Sequence, residues 1–428
     1  MTPSRFSPRA RLVETRLLMW VAAMTITGFL TVALALGQPL RTIAFVPAAF
    51  LVIAFALHAF LTLRGVRGDE ILLPLALGLT GIGLVVIYRV TTGTEESGLL
   101  VQQLAWCALS VAAFVTPLIV PRDLSLLSRY KYTWMVLGLI LLVGTAALGT
   151  EINGARIWIR FAGVSFTPWE LVKILLVVFL AAYLDEFREV LNLPRRGLAR
   201  YLPPLPYLVP ILLMWVAAMF VLVFARDLGA TLLFFGIFLA MLYLATGRVS
   251  WTLLGVVLLL AGSAVAYRIF AHVQLRVDMW MDPWQAPLDR GYQILHGLFS
   301  LANGGLLGAG LGAGDPGSIP VVWSDFVFAA FAEETGFLGA LALLALYVVM
   351  LYRGFSIALA APTPFLQLLA AGLTFVIGMQ TLVIVAGNAK LVPLTGITLP
   401  FVAYGGSSLV TNFLSLGLLL RISAEGRR

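Results

Sequence analysis

SFTPWELVKILLVVFLAAYL, residues 165–184, holds in twenty positions the features that decide the fold. Thr167, Pro168, Trp169 and Glu170 fit a capping box, with Thr as N-cap, Pro at the first helical position and Glu at the third. The run that follows is apolar for about as long as a helix needs to cross a 30 Å hydrocarbon core. Lys173 interrupts it. A cation near a helix start opposes the macrodipole, and this one sits close to lipid. It shares a face with Glu170 at i, i+3, so an ion pair and phosphate binding are both open to it.

Apolar runs of this kind recur along the chain. About twelve are long enough to span, centred near Ile26, Ile53, Leu79, Leu109, Leu141, Val178, Trp215, Phe238, Val257, Leu338, Phe375 and Leu416. The composition agrees: of 428 residues 61% are hydrophobic and 11% charged, which excludes an ordinary soluble globule. The expected fold class is therefore an all-α polytopic membrane protein. The Arg-rich N-terminus leads into a first span with no small-residue cleavage pattern and reads as a retained helix. Placing both termini in the cytoplasm puts about 18 of the 28 Lys and Arg residues inside and about nine outside, as the positive-inside rule favours.

The net charge of +8 is a topology signal, because the basic residues fall in short loops and form no aromatic-interleaved patch for nucleic acid. Lone Cys107, within LAWCALS, reads as a packed thiol and excludes a disulfide framework. His58, His272 and His296 lack HExxH spacing, no Walker A sequence is present, and the glycines of 308–314 follow no strand. Arg156, Arg160, Arg276, Arg290 and Lys390 fall in outward loops, where positive charge is disfavoured, and point to an anionic ligand there.

The loop from about 271 to 324 is longer than a structureless link and is expected to hold short interfacial or re-entrant helices. In NAKLVPLTGITLPFVAYGGSS, residues 388–408, Pro393, Gly396, Pro400, Gly405 and Gly406 break a helix. The freed N–H groups beside Ser407 and Ser408 suit an anion nest, and equally a tight helix crossing. Asp227 and Asp325 each stand at the head of a span, where Asp227 reads as an N-cap; for Asp325, set apart by the long loop it ends, an N-cap and a functional role are equally open. Glu333 and Glu334, roughly 12 Å further along that helix, are assigned to polar helix packing.

From about residue 71 to 423 these motifs resemble the SEDS family (shape, elongation, division and sporulation), the RodA/FtsW-like glycosyltransferases. The resemblance rests on INGARIWI at 152–159, SFTPWELVKI at 165–174, RDLGAT at 226–231, RV at 276–277 with DP at 282–283, GYQ at 291–293 followed by NGGLLGAGLG, SDFVFAAFAEETGFLG at 324–339 and PLTGITLPFVAYGGSS at 393–408. It implies a ten-helix core over 71–428, with residues 1–70 supplying a tail and two additional spans. It also implies a polymerase of lipid II, the undecaprenyl-pyrophosphate disaccharide-pentapeptide, at the outer face of the bacterial cytoplasmic membrane, beside a class B penicillin-binding protein.

Asp325 matches the family's essential aspartate and would be the general base. Lys173, Glu170, Arg156, Arg160, Arg276, Lys390, Tyr404, Ser407 and Ser408 would bind substrate. The chain departs from the family pattern at Arg156 with Ile157, at Trp169, at His296 with Gly297 and at Ala403. A lipid II flippase or a non-catalytic cell-wall scaffold are the alternatives. The sequence leaves open whether a divalent cation assists the pyrophosphate, and whether the role is in elongation, division or sporulation.

Overall fold

The computed structural model describes residues 11–39, 41, 44–120, 123–152, 155–161, 164–189, 216 and 227–426. Its long helices are α1 (Leu12–Ala35), α2 (Phe45–Leu63), α3 (Leu72–Thr91), α4 (Gly98–Ile119), α5 (Lys131–Leu148), α6 (Trp169–Glu186), α7 (Leu228–Thr246) and α8 (Val249–Ile269), followed by two short ones, α9 (Ala271–Met281) and α10 (Tyr292–Gly304). The chain closes with α11 (Val327–Ala360), α12 (Pro364–Asn388) and α13 (Gly406–Glu425). Ten of the described helices are long and apolar enough to cross a bilayer. Each span centre expected from the sequence lies in one of the long helices, except that near Trp215, which falls outside the described residues.

What each helix faces explains its composition. α6 is buried almost continuously from Trp169 to Leu184, so it meets protein rather than lipid and tolerates Glu170 and Lys173. α8 buries only Trp251 and Gly255, and from Val249 to Ala266 it carries no ionisable side chain. In hydrocarbon, helices associate through close packing of small residues rather than by hydrophobic burial. Gly417 on α13 shows this, since a Cβ there would lie 2.2 Å from the Phe114 carbonyl oxygen of α4.

A small antiparallel sheet not expected from the sequence comprises β1 (Thr150–Ile152), β2 (Ala155–Phe161) and β3 (Val164–Phe166), paired in that order. It sits between α5 and α6 in the chain. The capping box expected ahead of α6 does not form. The cap position is Pro168 with no side-chain bond, and the Glu170 carboxylate turns to Lys173 instead of back toward Thr167.

The first two helices are fastened to the rest by charge. Arg11, 2% exposed, donates to Glu14 at 2.6 and 2.9 Å and to the carbonyls of Val66 and Asp69. His58 of α2 meets the other Glu14 oxygen at 2.6 Å, and Asp69 pairs with Arg353 of α11.

The long connection before α11 folds, as expected, into short helices and turns. It is pinned where α11 breaks at Gly336 (φ 70°, ψ −173°). There the carbonyls of Glu333 and Glu334 accept from Ala309 and Gly310, each at 3.0 Å. In return Phe337 and Leu338 donate to the carbonyls of Gly305 and Leu306, at 2.9 and 3.2 Å. The two glutamates add side-chain ties: Glu334 pairs with Arg89 of α3 at 2.6 Å, and Glu333 accepts from the Asp315 backbone at 3.1 Å.

Candidate active site

At the end of the bundle that carries the long loop lies a cavity of about 680 Å³. Its wall is built from five places in the sequence: Gln102 and Trp106 on α4, Trp158 on β2, Thr167 to Glu170 at the head of α6, Trp323 to Asp325 ahead of α11, and the segment from Gly396 to Ser408. Of the residues singled out from the sequence, the cavity gathers Asp325, Glu170, Tyr404, Ser407 and Ser408. The others whose side chains are described stand behind or outside it. The sequence reading passed over Gln102, Trp106, Trp158, Trp323 and Thr398, which owe their place here to tertiary packing.

Asp325 is not an N-cap. The cap of α11 is Phe326, which makes no side-chain bond. Among the described residues the Asp325 carboxylate takes one hydrogen bond, from the Ser324 hydroxyl at 2.9 Å. Burial pushes its pKa above the usual carboxylate value, against the pull of Ser324 and of the Arg276 guanidinium. Arg276 itself donates to the carbonyls of Leu394 and Thr395, each at 3.1 Å, and so holds the turn that brings Gly396 beside Asp325.

Lys173 does not line the cavity. It is fully buried beneath it, and its ammonium donates to Glu170 at 2.5 Å, Gln380 at 2.8 Å and Asn412 at 3.4 Å. An ammonium has three donors, and all three are taken. The network continues upward: Asn412 donates to Ser408 at 3.2 Å, and the Thr398 and Ser408 hydroxyls lie 2.8 Å apart on the cavity wall. Ser407 accepts from the Thr167 backbone N–H at 2.8 Å, locking the start of α6 to the start of α13. Tyr404 donates its hydroxyl to Gln102 at 2.8 Å. Gln380 and Asn412 carry no motif of their own; only their depth in spans marked them.

The remaining cations lie elsewhere. Lys390 is half-buried, with its ammonium 3.5 Å from the Met281 carbonyl, and Arg160 is exposed on β2. The Arg156 side chain lies outside the described residues, as does Arg226 beside Asp227. Asp227 does cap its helix, accepting from the Ala230 N–H at 2.9 Å, and burial pushes its pKa up to about 6. Among the described residues no group of His, Cys, Asp and Glu is arranged to hold a metal ion.

Chemically, the wall offers a carboxylate held only by Ser324, a second carboxylate neutralised from below, seven hydroxyl-bearing side chains and several indoles. That is a lining for a polyhydroxylated substrate, with one group able to take a proton.

The family model described as cell cycle protein, covering FtsW, RodA and SpoVE, matches residues 70–428. Peptidoglycan glycosyltransferase RodA of Mycobacterium tuberculosis (strain H37Rv) is 40% identical over 431 residues, covering 98% of this chain and 92% of its own. Its namesake in Mycobacterium leprae (strain TN) is 43% identical over 366 residues, covering 84% and 78%. A chain solved in work on how a peptidoglycan synthase complex coordinates polymerization and crosslinking superposes with a TM-score of 0.69 at 27% identity, covering 85% of this chain and 99% of that one. The chain belongs to the FtsW, RodA and SpoVE family.

Proposed function

We propose that this membrane protein is a peptidoglycan glycosyltransferase that polymerises lipid II, with Asp325 as its general base. Its relatives carry that activity in their names. The observation that carries the assignment of the base is the Asp325 carboxylate, which heads a span, performs no capping and faces a cavity of about 680 Å³. The acceptor's 4-hydroxyl gives its proton to Asp325 as its oxygen attacks C1 of the donor's MurNAc. The bond from C1 to the lipid pyrophosphate breaks on the opposite face, inverting the centre.

The hydroxyls of Ser407, Ser408 and Tyr404 bind sugar hydroxyls, and Glu170 accepts from them. Lys173 acts through Glu170, keeping a carboxylate in the wall without touching substrate. Arg160 and Lys390, with Arg156 on the same strand as Arg160, receive the departing pyrophosphate, whose charge needs a cationic partner. The cavity opens to the outer face of the cytoplasmic membrane, with both termini inside, residues 1–70 adding two spans to the family core. A class B penicillin-binding protein cross-links the strands; the synthase complex of the structural neighbour supports such a partner.

The test is polymerisation of labelled lipid II by the purified chain, with and without a class B partner, beside Asp325→Asn of equal fold. Polymer from the wild type alone supports the assignment. Polymer from both removes Asp325 from the role of base, and polymer from neither in the partner's presence favours a flippase or scaffold.

A further inference from the structure

Asn388 stands at the last position of α12, 2% exposed, and makes two hydrogen bonds to the element that presents Asp325. Its Oδ1 accepts from the Ala329 N–H at 3.2 Å, and its Nδ2 donates to the Asp325 carbonyl at 2.8 Å. Ala329 is the third residue of α11, where an N-cap side chain ordinarily satisfies the N–H. Phe326, the cap residue here, has no side-chain oxygen to offer. Asp227 shows what a carboxylate at a helix start does when nothing relieves it: it takes the N–H of the third residue, Ala230.

We propose that Asn388 is a positioning residue of the transferase, which caps α11 from the neighbouring helix and grips the Asp325 backbone, so that the Asp325 carboxylate is left to the cavity. The inference rests on Asp325 being the base. Of the ionisable groups around that carboxylate, Arg276 from α9 pulls on it, and Glu170 and Tyr404 line the same cavity. None of them caps α11. With Asn388 gone, the Ala329 N–H loses its acceptor, and the Asp325 carboxylate, four residues earlier in the chain, is a side chain able to take its place. Such a bond favours the ionised carboxylate and makes it a weaker base.

The experiment compares full-length Asn388→Leu, Asn388→Asp and Asp325→Asn with wild type, polymerising labelled lipid II across pH in the presence of the class B partner. Asn388→Asp keeps an oxygen for Ala329; Asn388→Leu keeps neither bond. The expected result for Asn388→Leu is a fall in kcat of about tenfold or more, KM within about twofold, and an acid limb displaced to lower pH. Asn388→Asp is expected to stay within about threefold of wild type with its acid limb not lowered, since the added carboxylate beside Asp325 acts only to raise it. The inference is overturned if Asn388→Leu turns over like wild type, if both Asn388 variants fall alike, or if Asn388→Leu loses kcat with its acid limb unmoved. Should Asn388→Leu fail to fold, a tenfold loss in Asn388→Asp overturns it and near-normal turnover supports it. Equal polymer from wild type and Asp325→Asn would instead break the assignment of the base.

Discussion

Asp227 and Asp325 both stand at the head of a long apolar helix, Asp227 at the cap position and Asp325 one residue before it, and the structure uses them in opposite ways. Asp227 is spent on its own helix, bonded to Ala230. Asp325 is excused from that duty by Asn388 and keeps its carboxylate for the cavity. A carboxylate at a helix start is therefore not assigned by its position. What decides its role is whether another group supplies the capping oxygen.

The comparison is broken most directly by Asp325→Asn. Polymerisation of lipid II should fall by about two to four orders of magnitude, the range for removing a general base, while thermal unfolding in detergent stays near wild type. A large drop in the unfolding midpoint would mean that Asp325 is structural after all. Lys173→Met sharpens the contrast from the other side, because that charge is wholly spent on structure. Leaving Glu170 buried without its partner should cost about 3–5 kcal/mol, read as a lost or strongly lowered unfolding transition.

The pH dependence of turnover gives a smaller effect. Burial raises the Asp325 pKa, and a base works only when deprotonated. Activity should therefore fall, as pH is lowered, above the range where an ordinary carboxylate titrates. An acid limb at or below about 4 would contradict this. The smallest effect belongs to Asp227→Asn, which keeps the cap and leaves turnover within about twofold. For Asp227 the folded pKa of about 6 lies above its usual value, so the native state holds more protons between the two. Wild-type stability should accordingly decline as pH rises from about 4 to about 6, and the Asn variant should lose that slope, gaining about 3 kcal/mol at neutral pH.

Sequence alone made the architecture legible because lipid demands long apolar runs, and these can be counted without knowing how they pack. That Asp325, Glu170, Ser407 and Ser408, which meet in the cavity, deserved notice was legible because an ionisable or broken stretch inside such a run is conspicuous. The sheet at 150–166 was not, being short and carrying no lipid signature. Nor were the partners: that Gln380 and Asn412 would complete the donors of Lys173, or that Asn388 would cap a helix 59 residues away in sequence, depends on contacts between helices. The capping box at Thr167 failed for a related reason, since Glu170 found a buried ammonium that outweighs a surface-type local bond.

The break at Gly336 has a meaning for how the protein is made. Four backbone groups around it bond to residues 305, 306, 309 and 310, and in hydrocarbon each would cost several kcal/mol if left alone. As α11 enters the bilayer, the preceding loop must arrive with it, so residues 305–338 mature as a single cooperative unit. Asp325 lies within that unit, about 16 Å along the chain from the break at the helical rise. A nick or insertion near Gly308 would thus be felt at Asp325 before any span came out of the membrane.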